Sequence, residues 1–320
     1  MLTKNIYPVC ARTLDSFILS NNKFKNLYNK LNPQLFDVSL RDGLQGLSNE
    51  DQKKFNITEK KILLHKIIVN HKPKNIEIGS IVSSKVLPIF KDTIPFSEYT
   101  DEYNKSINKY KTEGFNSYVV VPNIIKLNEI INNKNINNFS FITSVSNSFQ
   151  LKNTKKSLEE SDKDILEMVY QLDENMERKY KPNIKLYVSC INECPIEGKI
   201  DNDFIVNRIL KLSKMNIDNI CLSDTCGSLT IEDFEYIIET ILFFGLQASK
   251  LSLHLHVKKG KEEIIEQIIR KALHFKIVQF DVSILETGGC SVTMKNENLA
   301  PNLSYELYYK ALCKYIINNV

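Results

Sequence analysis

No apolar run in the 320 residues is long enough to cross a bilayer, so no membrane span is expected. The opening stretch "MLTKNIYPVCARTLDSF" has neither the apolar core of a secretory leader nor the Arg- and Ser-rich character of an organelle transit segment. Cysteine is sparse. There are seven, an odd number with no Cys-x-x-Cys pair, which excludes a disulfide framework and makes reduced thiols in a cytoplasmic setting the expectation. Basic and acidic residues are interleaved at a formal charge of +4, leaving no footprint for nucleic acid. No Gly-x-Gly-x-x-Gly occurs, which disfavours a dinucleotide-binding fold.

What is present is a rhythm. From about residue 35, short β-branched apolar runs alternate with amphipathic stretches. The strand-like runs are "LFDVSL" (35–40), "NIEIGS" (75–80), "SYVVVP" (117–122), "FSFITSV" (139–145), "IKLYVSC" (184–190), "NICLSD" (219–224), "LSLHLH" (251–256) and "VQFDVSI" (278–284). Helical spacing of apolar residues marks 57–70, 157–179, 201–215, 230–244 and 261–275, with weaker signals in 83–112 and 123–135. Ser157–Glu160 and Thr230–Asp233 fit the capping-box pattern, in which each residue satisfies an orphan amide of the other. Strands alternating with helices imply a parallel sheet, and eight such units point to a closed (β/α)8 TIM barrel. Residues 1–34 fall outside the rhythm and are expected to form an N-terminal helical prefix. Residues 35–320 form the barrel domain, with 303–320 as a closing helix.

In such a barrel, function collects at the carboxyl ends of the strands. Arg41 and Asp42 follow the first run, Glu77 lies in the second, Asn123 follows the third, Cys190 ends the fifth and Asp224 the sixth. His254 and His256, from a total of five histidines, close the seventh. Residues two apart on a strand share a face, so Leu251, Leu253 and Leu255 should meet the helices while both imidazoles point into the barrel. Taken alone, this pair reads equally as half of a divalent-metal site and as two hydrogen-bonded core histidines. "RDG" at 41–43 reads by itself as a charged turn.

Several separated motifs decide between these readings. "RDGLQ" (41–45), "IEIGSIVSSKVLP" (76–88), "YVSCINECPIEGKI" (187–200), "LSDTCG" (222–227), "HLH" with Gly260, and "GGC" followed by "NLA" (288–300) stand in the order and approximate spacing of the 3-hydroxy-3-methylglutaryl-CoA lyase family, which this chain resembles over about 35–302. The resemblance implies retro-Claisen cleavage of a 3-hydroxyacyl-CoA thioester to acetyl-CoA and acetoacetate with a Mg²⁺ or Mn²⁺ ion. It also implies a homodimer. Asp42, His254, His256 and Asn298 would be the metal ligands; Asn296 is an alternative to Asn298, which is preferred because Leu299 and Ala300 follow it. Arg41 would stabilise the enolate, and Cys290 would join proton transfer from a glycine-rich lid. Glu77 and His254 would act beside the metal, with Asp37 near it. Asp224 would hold the substrate or a metal-bound water network, and Gln45 and Asn123 would contact substrate. Cys190 and Cys194 would be packing residues.

The chain departs from the family where it continues His256 with Val257, Lys258, Lys259 and Gly260 in place of Asp-Thr-Tyr-Gly. The lid "ETGGCSVTM" is also altered. Two alternatives follow: a degenerate barrel that binds metal or CoA without turnover, and a sister synthase of the isopropylmalate or homocitrate type. "ECPIEGK" and the Cys290 lid disfavour the synthase.

Overall fold

The computed structural model describes residues 8–109, 114–178, 180–289 and 299–320. Eight parallel strands close into a barrel: β1 Gln34–Asp37, β2 Asn75–Ser80, β3 Asn116–Val120, β4 Asn138–Ser144, β5 Ile184–Ser189, β6 Asn219–Asp224, β7 Leu251–Leu255 and β8 Gln279–Val282. Each pairs with its sequence neighbours, and β8 returns to β1 through registers such as Phe36 opposite Asp281. Every strand-like run of the sequence becomes one of these strands.

The outward faces carry the apolar load. Leu251, Leu253 and Leu255 are buried, as are Ile76 and Ile78 of β2, and all join one continuous cluster with the surrounding helices. Burial of this kind stabilises by roughly 25 cal/mol per Å² of apolar surface, which holds helices onto a barrel whose lumen is mostly polar. Inside, Phe36, Val38 and Tyr118 form a small apolar cluster.

The helices start where their caps dictate. Ser157 accepts from the amide of Glu160, and Glu160 returns a bond to the Ser157 amide, as the sequence pattern predicts. At Thr230 the box is half made: Thr230 accepts from the Asp233 amide, but the Asp233 carboxylate turns to the Thr230 hydroxyl, Lys199 and Asn202. The helix expected over 157–179 ends at Asp173, and the weak signal at 83–112 resolves into a short turn Pro88–Phe90 and a helix Thr93–Lys109. Gly79 is required there. A Cβ at that position would lie 2.6 Å from Oγ1 of Thr93, whose hydroxyl ties the helix start to the carbonyl of Ser80.

Helices Ala11–Leu19 and Asn22–Leu31 precede β1, and helix Tyr305–Asn318 follows β8. Lys310 and Lys314 of that last helix both reach the buried carboxylate of Glu266. Its Tyr308 ring lies 5.1 Å from that of Phe280 on the outer face of β8. Phe280→Ala should therefore cost about 3–5 kcal/mol, measured by urea unfolding. A loss below about 1 kcal/mol would show that the closing helix does not pack on β8 as described.

Candidate metal and active site

The site begins where β1 ends. After Val38 the chain makes a single wide turn, Ser39–Gly43, in which the amides of Arg41 and Gly43 both return to the Val38 carbonyl. This turn sets Arg41 and Asp42 side by side, with Arg41 Nη1 2.5 Å from Asp42 Oδ1. Arg41 Nε donates to Glu77 Oε2, which also accepts from the Tyr187 hydroxyl at 3.2 Å. Burial disfavours the guanidinium charge, but Glu77 and Asp42 outweigh it and keep Arg41 protonated. The same burial acts against Asp42, where Arg41 and the two imidazoles prevail and hold the carboxyl well below the usual range.

His254 and His256 enter from β7. His254 Nδ1 lies 3.0 Å from Asp281 Oδ2, and His256 Nδ1 lies 2.9 Å from the carbonyl oxygen of Ala300. Both partners are acceptors, so Nδ1 of each ring donates outward and Nε2 is the atom turned inward. The two Nε2 atoms face each other at 3.2 Å, and His254 Nε2 stands 3.9 Å from Asp42 Oδ2. Burial, with His254 alongside, lowers the pKa of His256 to about 4, so it is neutral at ordinary pH.

Two imidazole nitrogens close together beside a carboxylate suit a cation. One ligand atom from each of Asp42, His254 and His256 falls within 4.8 Å of the others, the only such group among the described residues. Apart from the two histidines, the wider buried cluster sets Arg41 and Lys185 against Asp42, Glu77 and Asp281, which leaves one negative charge over. The donor set and the charge both fit a divalent ion.

Above this group opens a cavity of about 310 Å³, lined by Arg41, Asp42, His254, His256 and Tyr187 at its base. Val86, Leu87, Ile142 and Phe149 form an apolar flank, and Lys126, Asn153 and Thr154 also line it. Gln45 and Asn123 line it too, although the Asn123 carboxamide oxygen also caps a short helix by accepting from the Lys126 amide at 3.0 Å. Glu77 sits behind Arg41 and not among the metal-facing atoms. Cys290, Asn296 and Asn298 lie outside the described residues.

Two further acids serve the loops around the site. Asp224 accepts from the amides of Ser228 and Leu229 at 3.1 and 3.0 Å, capping the turn after β6, and burial raises its pKa to about 6. Its strand neighbour Ser223 takes the inward place. Asp37 accepts from the Ser39 amide and hydroxyl and from the Tyr305 hydroxyl of the closing helix. It therefore supports the turn that carries Arg41 and Asp42 and does not face the cavity. Cys190 and Cys194 are buried, with Cys194 Sγ accepting from the Ile196 amide in a small hairpin, Glu193–Cys194 with Gly198–Lys199. Val257 is buried and its amide donates to the Pro301 carbonyl at 2.8 Å.

Three contacts escaped the sequence reading. Asp281 holds His254; Lys185 holds Asp281; the Gly289 amide donates to Asp42 Oδ2 at 2.8 Å. The inward alternation in "IKLYVSC" and "VQFDVSI" carried the signal for the first two.

A closed barrel of eight parallel strands with its polar cluster at their carboxyl ends defines a TIM-barrel protein. The chain belongs to the HMGL-like family, whose model matches residues 32–261. It is 25% identical over 257 residues to the mitochondrial hydroxymethylglutaryl-CoA lyase of Arabidopsis thaliana, a match covering 80% of this chain but only 50% of that protein. It is 27% identical over 259 residues to the mitochondrial hydroxymethylglutaryl-CoA lyase of Rattus norvegicus, covering 80% of this chain and 72% of that one. The solved structure of an HMG-CoA lyase from Acinetobacter baumannii, in complex with coenzyme A and 3-methylmalate, shares the fold at a TM-score of 0.70 and 22% identity, covering 89% and 88% of the two chains.

Burial also makes Asp37 a reporter of the turn. Despite its three hydrogen bonds, its pKa rises from 3.8 to about 7. A carboxyl that binds its proton more tightly folded than unfolded gives its full stabilisation below 3.8 and loses it as pH rises through about 7. Asp37→Asn, which cannot titrate, should gain stability relative to the wild type across that window. Urea unfolding at pH of about 5 and about 8 measures this, and an equal difference at both values would refute it.

Proposed function

We propose that this protein is a metal-dependent carbon–carbon lyase acting on 3-hydroxy-3-methylglutaryl-CoA or a close 3-hydroxyacyl-CoA, with acetyl-CoA and acetoacetate as products. The observation that carries this is the convergence of Asp42, His254 and His256 beside Arg41 at the base of one cavity. Family membership and curated relatives named as lyases support it. Residues 35–320 would be the catalytic unit and 1–34 an extension. A cytoplasmic homodimer belongs to the same proposal; among the relatives are both mitochondrial and cytoplasmic lyases, and no described helix is long and apolar enough to cross a membrane.

Cleavage requires that the C3 hydroxyl lose its proton, that the C2–C3 bond break, and that the departing acetyl thioester enolate take up a proton. A Mg²⁺ or Mn²⁺ ion held by Asp42, His254, His256 and Asn298 would supply Lewis acidity that lowers the hydroxyl pKa. Arg41, fixed by Asp42 and Glu77, provides positive charge at the cavity floor where the enolate develops. Its two carboxylate partners restrain it before substrate arrives, so little reorganisation is needed. With Nδ1 of His254 and His256 turned to Asp281 and Ala300, their Nε2 atoms are the ones that would hold the ion. Cys290 is the candidate donor to the enolate. The apolar flank at Val86, Leu87 and Phe149 suits the uncharged parts of an acyl thioester better than water.

One observation favours a second reading, a barrel that binds metal or CoA without turnover. Val257, buried and apolar, stands where the lyases carry an aspartate behind the histidine pair.

The deciding assay supplies Mn²⁺ and the hydroxymethylglutaryl thioester to the purified protein and follows acetyl-CoA and acetoacetate. Turnover is expected, and Arg41→Met should lower kcat by about 100–1,000-fold while Mn²⁺ still binds. Mn²⁺ binding without product would select the second reading. An Arg41→Met variant as active as wild type would sink the mechanism.

A further inference from the structure

We propose that Lys185 and Asp281 are positioning residues of the metal site: Asp281 fixes the tautomer and ring orientation of His254, and Lys185 fixes Asp281. The inference rests on the metal reading above and assigns work to two residues that line no part of the cavity base.

The pair crosses the lumen. Lys185 is on β5 and Asp281 on β8, strands that are not neighbours in the barrel, and their side chains are 3% and 1% exposed. Asp281 divides its oxygens: Oδ1 takes the Lys185 ammonium, and Oδ2 takes His254 Nδ1 at 3.0 Å with the Cys221 thiol 3.7 Å away. Lys185 is itself placed with little freedom. Its ammonium stands 3.5 Å from the Phe36 ring centroid and 4.7 Å from that of Tyr187, so two aromatic faces hold a side chain that is otherwise flexible.

Stability alone does not account for the arrangement. A buried ion pair is often no better for the fold than an apolar pair of the same volume, because desolvation offsets the attraction. The arrangement has a clear use at the next residue. An imidazole has one proton to place, and a carboxylate at Nδ1 forces it there, leaving Nε2 as a lone pair toward Asp42 and His256. The ammonium determines which carboxylate oxygen remains for the imidazole. Tyr187 links this device to the other half of the site, since its ring edge meets His254 with centroids 5.6 Å apart and its hydroxyl bonds Glu77 behind Arg41.

Asp281→Asn tests the idea sharply. The new carboxamide would keep its oxygen toward Lys185 and present its amide protons to His254 Nδ1, driving the imidazole proton onto Nε2 and away from a ligand role. The readouts are Mn²⁺ affinity without thioester, by titration of the free-ion EPR signal, and the imidazole ¹⁵N shifts of the ion-free protein. Asp281→Asn should weaken Mn²⁺ binding by about 10–100-fold and reverse the protonated nitrogen of His254. Lys185→Met should weaken binding in the same direction, and Lys185→Arg should restore most of it, which a role in folding alone would not produce. If Asp281→Asn does not fold, the two Lys185 variants carry the test. Folded variants with wild-type Mn²⁺ affinity and an unchanged His254 tautomer would overturn the proposal. A wild-type protein that binds no Mn²⁺ would instead remove the metal reading, and the ¹⁵N shifts would still judge the role of Asp281.

Discussion

A carboxylate taken out of water without a partner costs several kcal/mol, and this barrel buries Asp42, Glu77 and Asp281 in or beside one lumen. Arg41 and Lys185 answer them from two sides, Arg41 between Asp42 and Glu77, Lys185 against Asp281. Most of what is distinctive about the interior follows from meeting that cost. The Tyr187 ring has Arg41 on it at 5.1 Å and Lys185 at 4.7 Å, so one aromatic residue spaces the two cations. The main apolar cluster lies on the helix-facing surfaces of the strands, and a small one of Phe36, Val38 and Tyr118 lies inside the barrel.

Much of this was legible before any coordinates. Eight β-branched runs separated by amphipathic stretches are hard to fold otherwise, and the alternation in "LSLHLH" already assigned leucines outward and imidazoles inward. The motif stretches then named a family that the comparison bears out. Smaller elements escaped because they have no periodicity to show: the hairpin at Glu193–Lys199, the helix Asn49–Lys54 and the helix Asn147–Thr154 are set by local capping and tertiary packing.

Which face of the strand an acid occupies decides what it serves. Asp224 stands at a strand end, which says nothing of the face it occupies, and Asp37 enters only through the family resemblance. Phe36 and Ser223, their immediate neighbours, hold the inward positions, so the acids emerge on the other side and serve the turn and loop that follow. Asp281 and Lys185 are the converse case. They lie mid-strand, where a charge is usually counted against a strand assignment, yet their parity puts them inside. In a polar lumen, parity carries more functional information than distance from the strand end.

Asp42 has fewer free positions than its place at the metal site would imply. Oδ1 is engaged by Arg41, while Oδ2 accepts the amide of Gly289 and faces His254. That amide belongs to a segment pressed onto the arginine turn, where a Cβ on Gly46 would come within 2.4 Å of the Gly288 nitrogen and Thr287 donates to the Gly43 carbonyl. An ion that uses Oδ2 shares an atom with the glycine segment. Any effect that a cation on Oδ2 had on the hold of the Gly289 amide would be returned, in equal free energy, as an effect of that amide on cation affinity.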